Sequence, residues 1–310
     1  MDIDLVYLWV NGNDPKWRAK HDKTIGKTEE GSAVNCEGRY ADNDELKYNL
    51  RAVEMYAPWI RRIFIVTDDQ TPVWLNTAHP KVQIVDHTEI LPPQSLPCFN
   101  PYLIEHFLYR IPGLSEHFLY ANDDMFINRP VTPDTFFASD GLPIIRFYRR
   151  RFRKLALFYR ERILKKKLEN YVQVIKNTAT LVEKRYGVYF SSKAHHNIDA
   201  YTKSEYEHIY QLFEADIAPT LTNHVRTDKD VQRHLYSYVA LAEKRAHLQY
   251  VTQKTSFRFL IHNTELYPKL EEYNPLFFCM NDSQFANDSD RMRVTEYLQK
   301  RFPKKSQFEK

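Results

Sequence analysis

Glycine is scarce in this 310-residue chain, and its glycines stand apart from one another. The seven are Gly12, Gly26, Gly31, Gly38, Gly113, Gly141 and Gly187. Loops that cradle phosphate with backbone N–H groups follow the patterns GxGxxG or GxxxxGK[ST]. Neither pattern occurs here, so both loop types are excluded. A diphosphate bound by this chain would need a metal ion and cationic side chains to offset its charge.

Cysteines and long apolar runs are also scarce. Cys36, Cys98 and Cys279 lie far apart and match no metal-ligand spacing, which indicates reduced thiols. No run reaches the roughly 20 apolar residues that span a bilayer. Asp2 and Asp4 stand where a secretory leader carries basic residues. We therefore predict a cytoplasmic protein, or one that is peripheral to a membrane.

Charge is balanced overall but not locally. The net charge of +4 is too small to indicate nucleic acid binding, and 43% hydrophobic residues supply a core. Residues 146–168, however, hold eleven Lys or Arg and one acid, Glu161, interleaved with aromatic residues and leucines. This pattern predicts a basic amphipathic helix that binds a membrane surface or an anionic polymer. The alternative is an exposed helix whose cations stay solvated.

Several short apolar runs end at loops rich in Asp and Asn. They are Ile3–Val10, Ile63–Thr67, Val82–Val85 and Phe118–Ala121. Such runs predict buried parallel strands, and amphipathic segments between them predict helices, which together indicate a Rossmann-like α/β sheet. Ligands of such sheets bind beyond the carboxyl ends of the strands. Each loop alone is equally a turn or a helix cap, but the four together favour a shared polar site.

Carboxylates follow one of these runs directly. Asn122, Asp123 and Asp124 come at the end of a predicted strand, and a later apolar run delivers Asn281 and Asp282 in the same way. Mg²⁺ in proteins is held by one or two carboxylates together with phosphate oxygens. An Asp-Asp pair is common in turns, so the preceding strand is what favours a divalent metal site.

Three further positions offer polar chemistry. Asp14 follows the first predicted strand, where it either contacts a ligand or caps a helix before Pro15. His195 and His196 point in different directions on most backbones, so one of them suits a general base while packed histidines remain the alternative. Neither reading is settled by the local sequence.

Arg226 precedes a segment that predicts a helix with Asp230 and His234 on one face. A guanidinium group there could clamp a phosphate with two hydrogen bonds. The alternative is a capped helix that carries an ion pair.

Four blocks of the chain resemble the four conserved regions of the Stealth family of polysaccharide phosphotransferases. The blocks are IDLVYLWVNGNDPKW, the stretch from RYADNDELKYNL to EHFLYANDDMFI, AHHNIDAYTK with NHVRTDKDVQRH, and FFCMNDSQFANDSD. The family includes bacterial capsule and exopolysaccharide hexose-1-phosphate transferases and the catalytic subunit of the animal N-acetylglucosamine-1-phosphotransferase. The chain is similar to the compact bacterial form.

The resemblance implies an enzyme that moves hexose- or N-acetylhexosamine-1-phosphate from a UDP-sugar to a glycan hydroxyl and releases UMP. It implies UDP-N-acetylglucosamine as donor, an oligosaccharide or lipid-linked glycan as acceptor, Mg²⁺ or Mn²⁺, and capsule or exopolysaccharide synthesis at the inner face of the plasma membrane. The expected fold is a GT-A-like, mostly parallel sheet flanked by helices. We expect a nucleotide-sugar-binding part over 1–145, a basic helical insertion over 146–190, and a second catalytic part over 191–310.

The resemblance also implies roles for residues. The catalytic set is Asp14, Asp124, His195 and Arg226; the donor contacts are Asn11, Gly12, Asn122, Asp123 and Asp230; the metal ligands are Asp124, Asn281 and Asp282. Asp124 or His195 would take the acceptor proton, and the neighbouring His196 leaves the register of that histidine open. Two other functions fit the composition: a metal-dependent glycosyltransferase that releases UDP, and a non-catalytic glycan-binding or membrane scaffold protein.

Overall fold

The computed structural model describes residues 1–26 and 37–310, and a five-stranded sheet forms its centre. The strands of the described residues are β1 (Ile3–Leu8), β2 (Ile63–Thr67), β3 (Val82–Asp86), β4 (His117–Asn122), β5 (Met125–Ile127), β6 (Ile144–Tyr148), β7 (Lys193–Ala194), β8 (Asp199–Thr202), β9 (His247–Tyr250), β10 (Ser256–Leu260) and β11 (Phe277–Asn281). The main sheet has the order β3-β2-β1-β4-β8, with β8 alone antiparallel to its neighbour. The predicted α/β fold with a mostly parallel sheet is confirmed.

Helices cover both faces of this sheet. They are α1 (Pro15–Ile25), α2 (Glu45–Tyr56), α3 (His87–Ile90), α4 (Pro101–Glu105), α5 (Arg153–Phe158), α6 (Asn170–Tyr186), α7 (Lys203–Leu212), α8 (Glu214–Ile217), α9 (His234–Ala242), α10 (Tyr267–Tyr273) and α11 (Asp288–Arg301). Side chains alternate along β1, so Val6 packs in a core with α9, while Leu5 and Tyr7 pack in another with α2. Burial on both faces explains why the strands read as uninterrupted apolar runs.

Two small sheets complete the structure. One has the order β10-β11-β5 and the other has the order β7-β6-β9. The chain turns after β4 and returns as β5, which pairs antiparallel with β11. The backbone N–H of Met280 then donates to the carbonyl of Asp124 at 3.1 Å. This pairing brings the end of β11 beside the end of β4.

Two expectations about helices are corrected. The basic segment is not one helix: Arg146 is buried in β6, and the helical part is α5 continued by a π-helical turn over Tyr159–Ile163. The boundary expected after residue 145 therefore falls inside β6, whose alternating apolar residues pair with β9. Asp230 lies in irregular chain before α9, which begins only at His234.

Cys98 and Cys279 are free and buried, whereas Cys36 lies outside the described residues. Among residues 1–26 and 37–310, no helix combines the length and the apolar character needed to cross a membrane.

Candidate functional site

A cavity of about 870 Å³ opens at the carboxyl ends of the parallel strands. Leu8 of β1, Asp68 after β2, His87 after β3 and Asn122 of β4 all line it. The four loops that the sequence marks as rich in Asp and Asn thus meet at one edge of the sheet. This is the edge at which open α/β sheets bind their ligands.

The turn between β4 and β5 places Asp123 and Asp124 in the cavity wall, beside Asn281 at the end of β11. The amide nitrogen of Asn281 donates to Oδ2 of Asp124, and its amide oxygen accepts from Nε of Arg258. The second carboxylate oxygen of Asp124, Oδ1, is buried without a hydrogen-bond partner among the described residues. A buried oxygen in this state is unfavourable by itself and offers a ligand atom to a cation.

Negative charge gathers around Glu45 and Asp123, which line the cavity wall, and around Asp42, which lines a second cavity. Burial raises the pKa of Asp42 to about 6. Burial and then Asp42 raise the pKa of Glu45, and burial followed by Glu45 and Asp124 raises the pKa of Asp123 well above its usual range. These carboxylates repel one another, so a divalent cation at the wall would stabilise their ionised forms.

The residues at this wall fit a hard divalent ion. Atoms of Asp124, His196 and Cys279 that could bind a metal lie within 4.8 Å of one another. Burial and the neighbouring Asp124 raise the pKa of the Cys279 thiol well above its usual range, and a thiolate is in any case a soft ligand that hard cations disfavour. The carboxylate oxygens of Asp123 and Asp124 suit Mg²⁺ or Mn²⁺, which are held by one or two carboxylates together with phosphate oxygens.

The same cavity also collects positive charge. Its cations are Arg39, Lys193, Arg226, Arg233 and Arg258. Burial and the nearby Arg258, Arg153 and Arg150 lower the pKa of Lys193 to about 8. Such mutual repulsion is relieved when an anion binds, and guanidinium groups match phosphate oxygens in geometry.

Arg233 is a buried member of this set of cations. Its Nη2 lies 3.0 Å from Oδ2 of Asp199 on β8, and its Nη1 lies 3.2 Å from Oε1 of Glu105 at the end of α4. The hydroxyl of Tyr120 on β4 also donates to Glu105, at 2.8 Å. Two charged pairs, to β8 and to α4, thus hold the guanidinium at the cavity surface.

The two adjacent histidines occupy different places. His195 is only 1% exposed; its Nδ1 lies 3.2 Å from Oγ of Ser256, and its Nε2 lies 3.5 Å from Oδ1 of Asp199. His196 lines the cavity, and its Nε2 lies 3.3 Å from Nδ2 of Asn281. Burial and the neighbouring Arg258 and Arg233 lower the pKa of His196 well below its usual range, so its imidazole is neutral.

The loop after β1 supports the cavity from outside. Among the described lining residues, Asn11, Gly12 and Asp14 are absent. Asp14 caps α1 through Lys16 N at 2.9 Å and accepts from Nε2 of Gln70 at 3.1 Å, the bond that chiefly lowers its pKa. Asp14 therefore caps a helix, which is the alternative that the sequence left open. Its side chain does not line the cavity, so no direct contact supports the catalytic role expected of it.

Of the remaining predicted residues, Arg226 and Asp282 line the cavity and Asp230 does not. Asp282 accepts from Nε of Arg291 at 2.8 Å. Asp230 instead accepts from Nδ2 of Asn100 at 3.0 Å and from Thr227 N at 2.7 Å. It thereby fixes the loop that carries Arg226.

The sequence analysis did not single out several charged lining residues, among them Glu45, Lys193, Arg233 and Arg258. Arg233 stands inside the block HVRTDKDVQRH, so the sequence did indicate the segment in which it lies. Lys193 and Arg258 stand outside the polar loops, and their role follows only from the way β7 and β10 are placed.

Comparisons with known proteins agree on one family. The family models Stealth protein CR1, conserved region 1, and Stealth protein CR2, conserved region 2, match residues 1–29 and 39–145. Exopolysaccharide phosphotransferase SCO2592 of Streptomyces coelicolor is 35% identical over 99% of this chain and 33% of its own length. Exopolysaccharide phosphotransferase CpsY of Mycobacterium tuberculosis is 35% identical over 100% and 58%, and capsular polysaccharide phosphotransferase SacB of Neisseria meningitidis serogroup A is 32% identical over 100% and 57%.

The chain thus spans less than two thirds of the length of each of these relatives. Among solved structures, the galactosyltransferase LgtC in complex with donor and acceptor sugar analogs matches with a TM-score of 0.47 and 9% identity, over 97% of this chain and 95% of that one.

Proposed function

Because this chain belongs to the Stealth family, we propose that it is a metal-dependent enzyme that transfers hexose- or N-acetylhexosamine-1-phosphate from a UDP-sugar to a glycan hydroxyl. The proposed donor is UDP-N-acetylglucosamine, and the acceptor is an oligosaccharide or lipid-linked glycan of capsule or exopolysaccharide synthesis. One observation carries the proposal: buried carboxylates and a group of lysine and arginine side chains line the same cavity. A diphosphate bound with a divalent cation complements both kinds of charge at once.

In this reaction an acceptor hydroxyl attacks the phosphorus that carries the sugar. The new oxygen–phosphorus bond forms, the bond to UMP breaks, and the hydroxyl proton moves to the base. We assign the base to His196, because its neutral imidazole faces the cavity, whereas His195 is enclosed. Asp124 then serves chiefly as a metal ligand.

The charged groups stabilise the transferring phosphoryl group. A bound Mg²⁺ or Mn²⁺, held by Asp123 and Asp124, would neutralise charge on the diphosphate. Arg226, Arg233 and Arg258 supply fixed positive charge in the same cavity, and stabilisation of phosphoryl charge is the main catalytic demand in such a transfer.

The test identifies the nucleotide released from UDP-N-acetylglucosamine in the presence of Mg²⁺ and a panel of oligosaccharide acceptors. We expect UMP and a phosphodiester-linked product. Release of UDP would instead indicate attack on the anomeric carbon, as in a glycosyltransferase. Metal-independent glycan binding without nucleotide release would indicate a binding protein.

Asp124→Asn provides the matched variant. We expect it to lower turnover by about 10²–10⁴-fold, because the group acts at the reacting centre. Asp216→Asn, at an exposed aspartate of α8, is the control and should keep normal turnover. Equal turnover in both variants would contradict the assignment of Asp124.

A further inference from the structure

A surface formed by residues 149–167, here called the basic-apolar face, leaves many apolar side chains in water. It consists of α5, the π-helical turn that follows it, and the flanking chain. Its exposed side chains are Phe152 (72%), Leu155 (66%), Phe158 (59%), Tyr159 (53%), Ile163 (59%) and Leu164 (46%). Contiguous apolar surface of this kind marks a site where the protein meets a partner or a membrane.

The basic-apolar face is fixed to the body of the protein. Leu157 points inward and is buried, and Nζ of Lys176 on α6 lies 2.8 and 2.7 Å from the two carboxylate oxygens of Glu161. Nζ of Lys154 donates to Glu183, also on α6. These contacts hold one side of the segment on α6 and leave the apolar residues on the other side.

Cations surround the exposed apolar residues. The exposed ones are Arg149, Arg150, Arg151, Lys154, Arg162, Lys165, Lys166 and Lys167. Glu161 is the one acid in the segment, and it is already paired with Lys176. Apolar side chains interleaved with cations are typical of helices that lie in the interface of an anionic bilayer, where each part has a complementary layer.

We propose that the basic-apolar face docks the protein onto an anionic membrane surface. Leu155, Phe158 and Ile163 would enter the boundary between headgroups and acyl chains, and the arginines would contact lipid phosphates. A hydrated polyanionic glycan would satisfy the cations but would leave the aliphatic side chains in water, so the bilayer is the better match.

Docking has a consequence for the cavity, and this step rests on the proposed function. Glu169, Asn170 and Tyr171 line the cavity and follow the basic-apolar face directly in the chain. A docked protein therefore holds its cavity next to the bilayer, where the hydroxyl of a lipid-linked acceptor would be presented.

The experiment is sedimentation of the purified chain with vesicles of phosphatidylcholine alone or mixed with phosphatidylglycerol. We expect binding to the mixed vesicles at low salt and little binding to the neutral ones. Leu155→Ser with Ile163→Ser should weaken binding by more than about tenfold. Val73→Ser with Met292→Ser removes exposed apolar residues elsewhere and should bind as the unchanged protein does.

A charge variant separates the membrane from a soluble polyanion. Arg150→Gln with Arg151→Gln should weaken binding by about fivefold for each cation removed. If the arginine variant loses binding while the Leu155 and Ile163 variant keeps it, the face binds polyanions and the proposal is overturned. Equal binding to neutral and anionic vesicles, or binding to neither, would also overturn it. The measurement uses no turnover, so its failure leaves the proposed transferase reaction untouched.

Discussion

The two adjacent histidines, His195 and His196, have different surroundings at this site. His195 is held between Ser256 and Asp199, beneath the cavity, whereas His196 reaches the cavity beside Asn281 and Arg258. The sequence places both histidines in one block that resembles the family, and it cannot choose between them. Their surroundings differ because the chain bends directly after β7, where the two histidines lie.

Substitution of His196 should lower turnover, whereas substitution of His195 should lower stability. We expect His196→Ala to lower turnover by about 10²–10⁴-fold with little change in thermal stability, because it removes a base from the cavity. His195→Ala should lower the free energy of unfolding by about 1–3 kcal/mol, because buried partners lose their hydrogen bond.

Turnover and thermal unfolding measured on both variants provide the check, with His208→Ala on α7 as an exposed control. An inactive but fully stable His195→Ala protein, together with an active His196→Ala protein, would reverse the assignment.

At the scale of elements, a loop outside the cavity shapes its wall. Gly12 donates its backbone N–H to the carbonyl of Tyr40 at 2.8 Å. A Cβ at position 12 would lie 2.6 Å from that same oxygen, which is closer than real Cβ contacts come. Tyr40 lines the cavity and contacts the ring of Trp17 on α1, so the glycine lets two elements meet behind the binding surface. Gly12 does not line the cavity itself, so any effect of this glycine on a bound donor passes through Tyr40.

Gly12→Ala should therefore weaken nucleotide binding without removing a contacting group. The added methyl group must displace the backbone at Tyr40, and we expect the dissociation constant for the UDP-sugar to rise by about tenfold, the effect of a loss of about 1.4 kcal/mol. Calorimetric titration measures this constant. Asn13→Ala changes an exposed residue of the same loop and should leave the constant unchanged. Unchanged affinity in Gly12→Ala would show that the wall tolerates the shift.

At the scale of the whole molecule, the folded protein buries histidines whose imidazoles are neutral. His106 is buried, with Nε2 at 2.9 Å from the carbonyl of Val231 and Nδ1 at 2.9 Å from the hydroxyl of Tyr236. Its Nε2–H donates to the carbonyl, and its Nδ1 accepts from the tyrosine. Burial lowers the pKa of His106 to about 4. The cavity residue His87 also has its pKa lowered to about 4 by burial.

Acid should therefore remove stability through His106. Below about pH 6.5 the unfolded chain binds a proton at this histidine, while the folded chain does so only near pH 4. The unfolding free energy thus falls by about 1.4 kcal/mol per pH unit for this group across that interval. Carboxyl groups with raised pKa, such as Asp42, act in the opposite sense, so the informative quantity is a difference between proteins.

Urea unfolding at several pH values supplies that difference. His106→Gln should lose less stability on acidification than the unchanged protein, by about 1.4 kcal/mol per pH unit below pH 6.5. His208→Gln, at an exposed histidine, should keep the original slope. Identical slopes in all three proteins would mean that His106 titrates alike in the folded and unfolded states.

The sequence by itself determined the four parallel strands of the main sheet and the loops at their ends, but not the antiparallel β8. Ile63–Thr67 forms β2 as predicted, and the other three runs differ from their strands by only one or two residues at an end. Burial on both faces requires continuous apolar runs, and a parallel sheet requires its loops to meet at one edge. These are local or topological rules, and a single sequence displays them. The family blocks are likewise a property of the sequence.

Only the tertiary structure decided which charges meet. Lys193, Arg233 and Arg258 come from β7, the residue before α9 and β10, yet all three line the same cavity as Asp123 and Asp124. Asp230 does not line that cavity and instead accepts a hydrogen bond from the distant Asn100. A local pattern carries no information about contacts between residues far apart in the chain, and electrostatic potential in a cavity is a sum over such contacts. The fold therefore decides which opposite charges meet in the cavity, whereas the polar loops at the ends of the parallel strands are visible in the sequence.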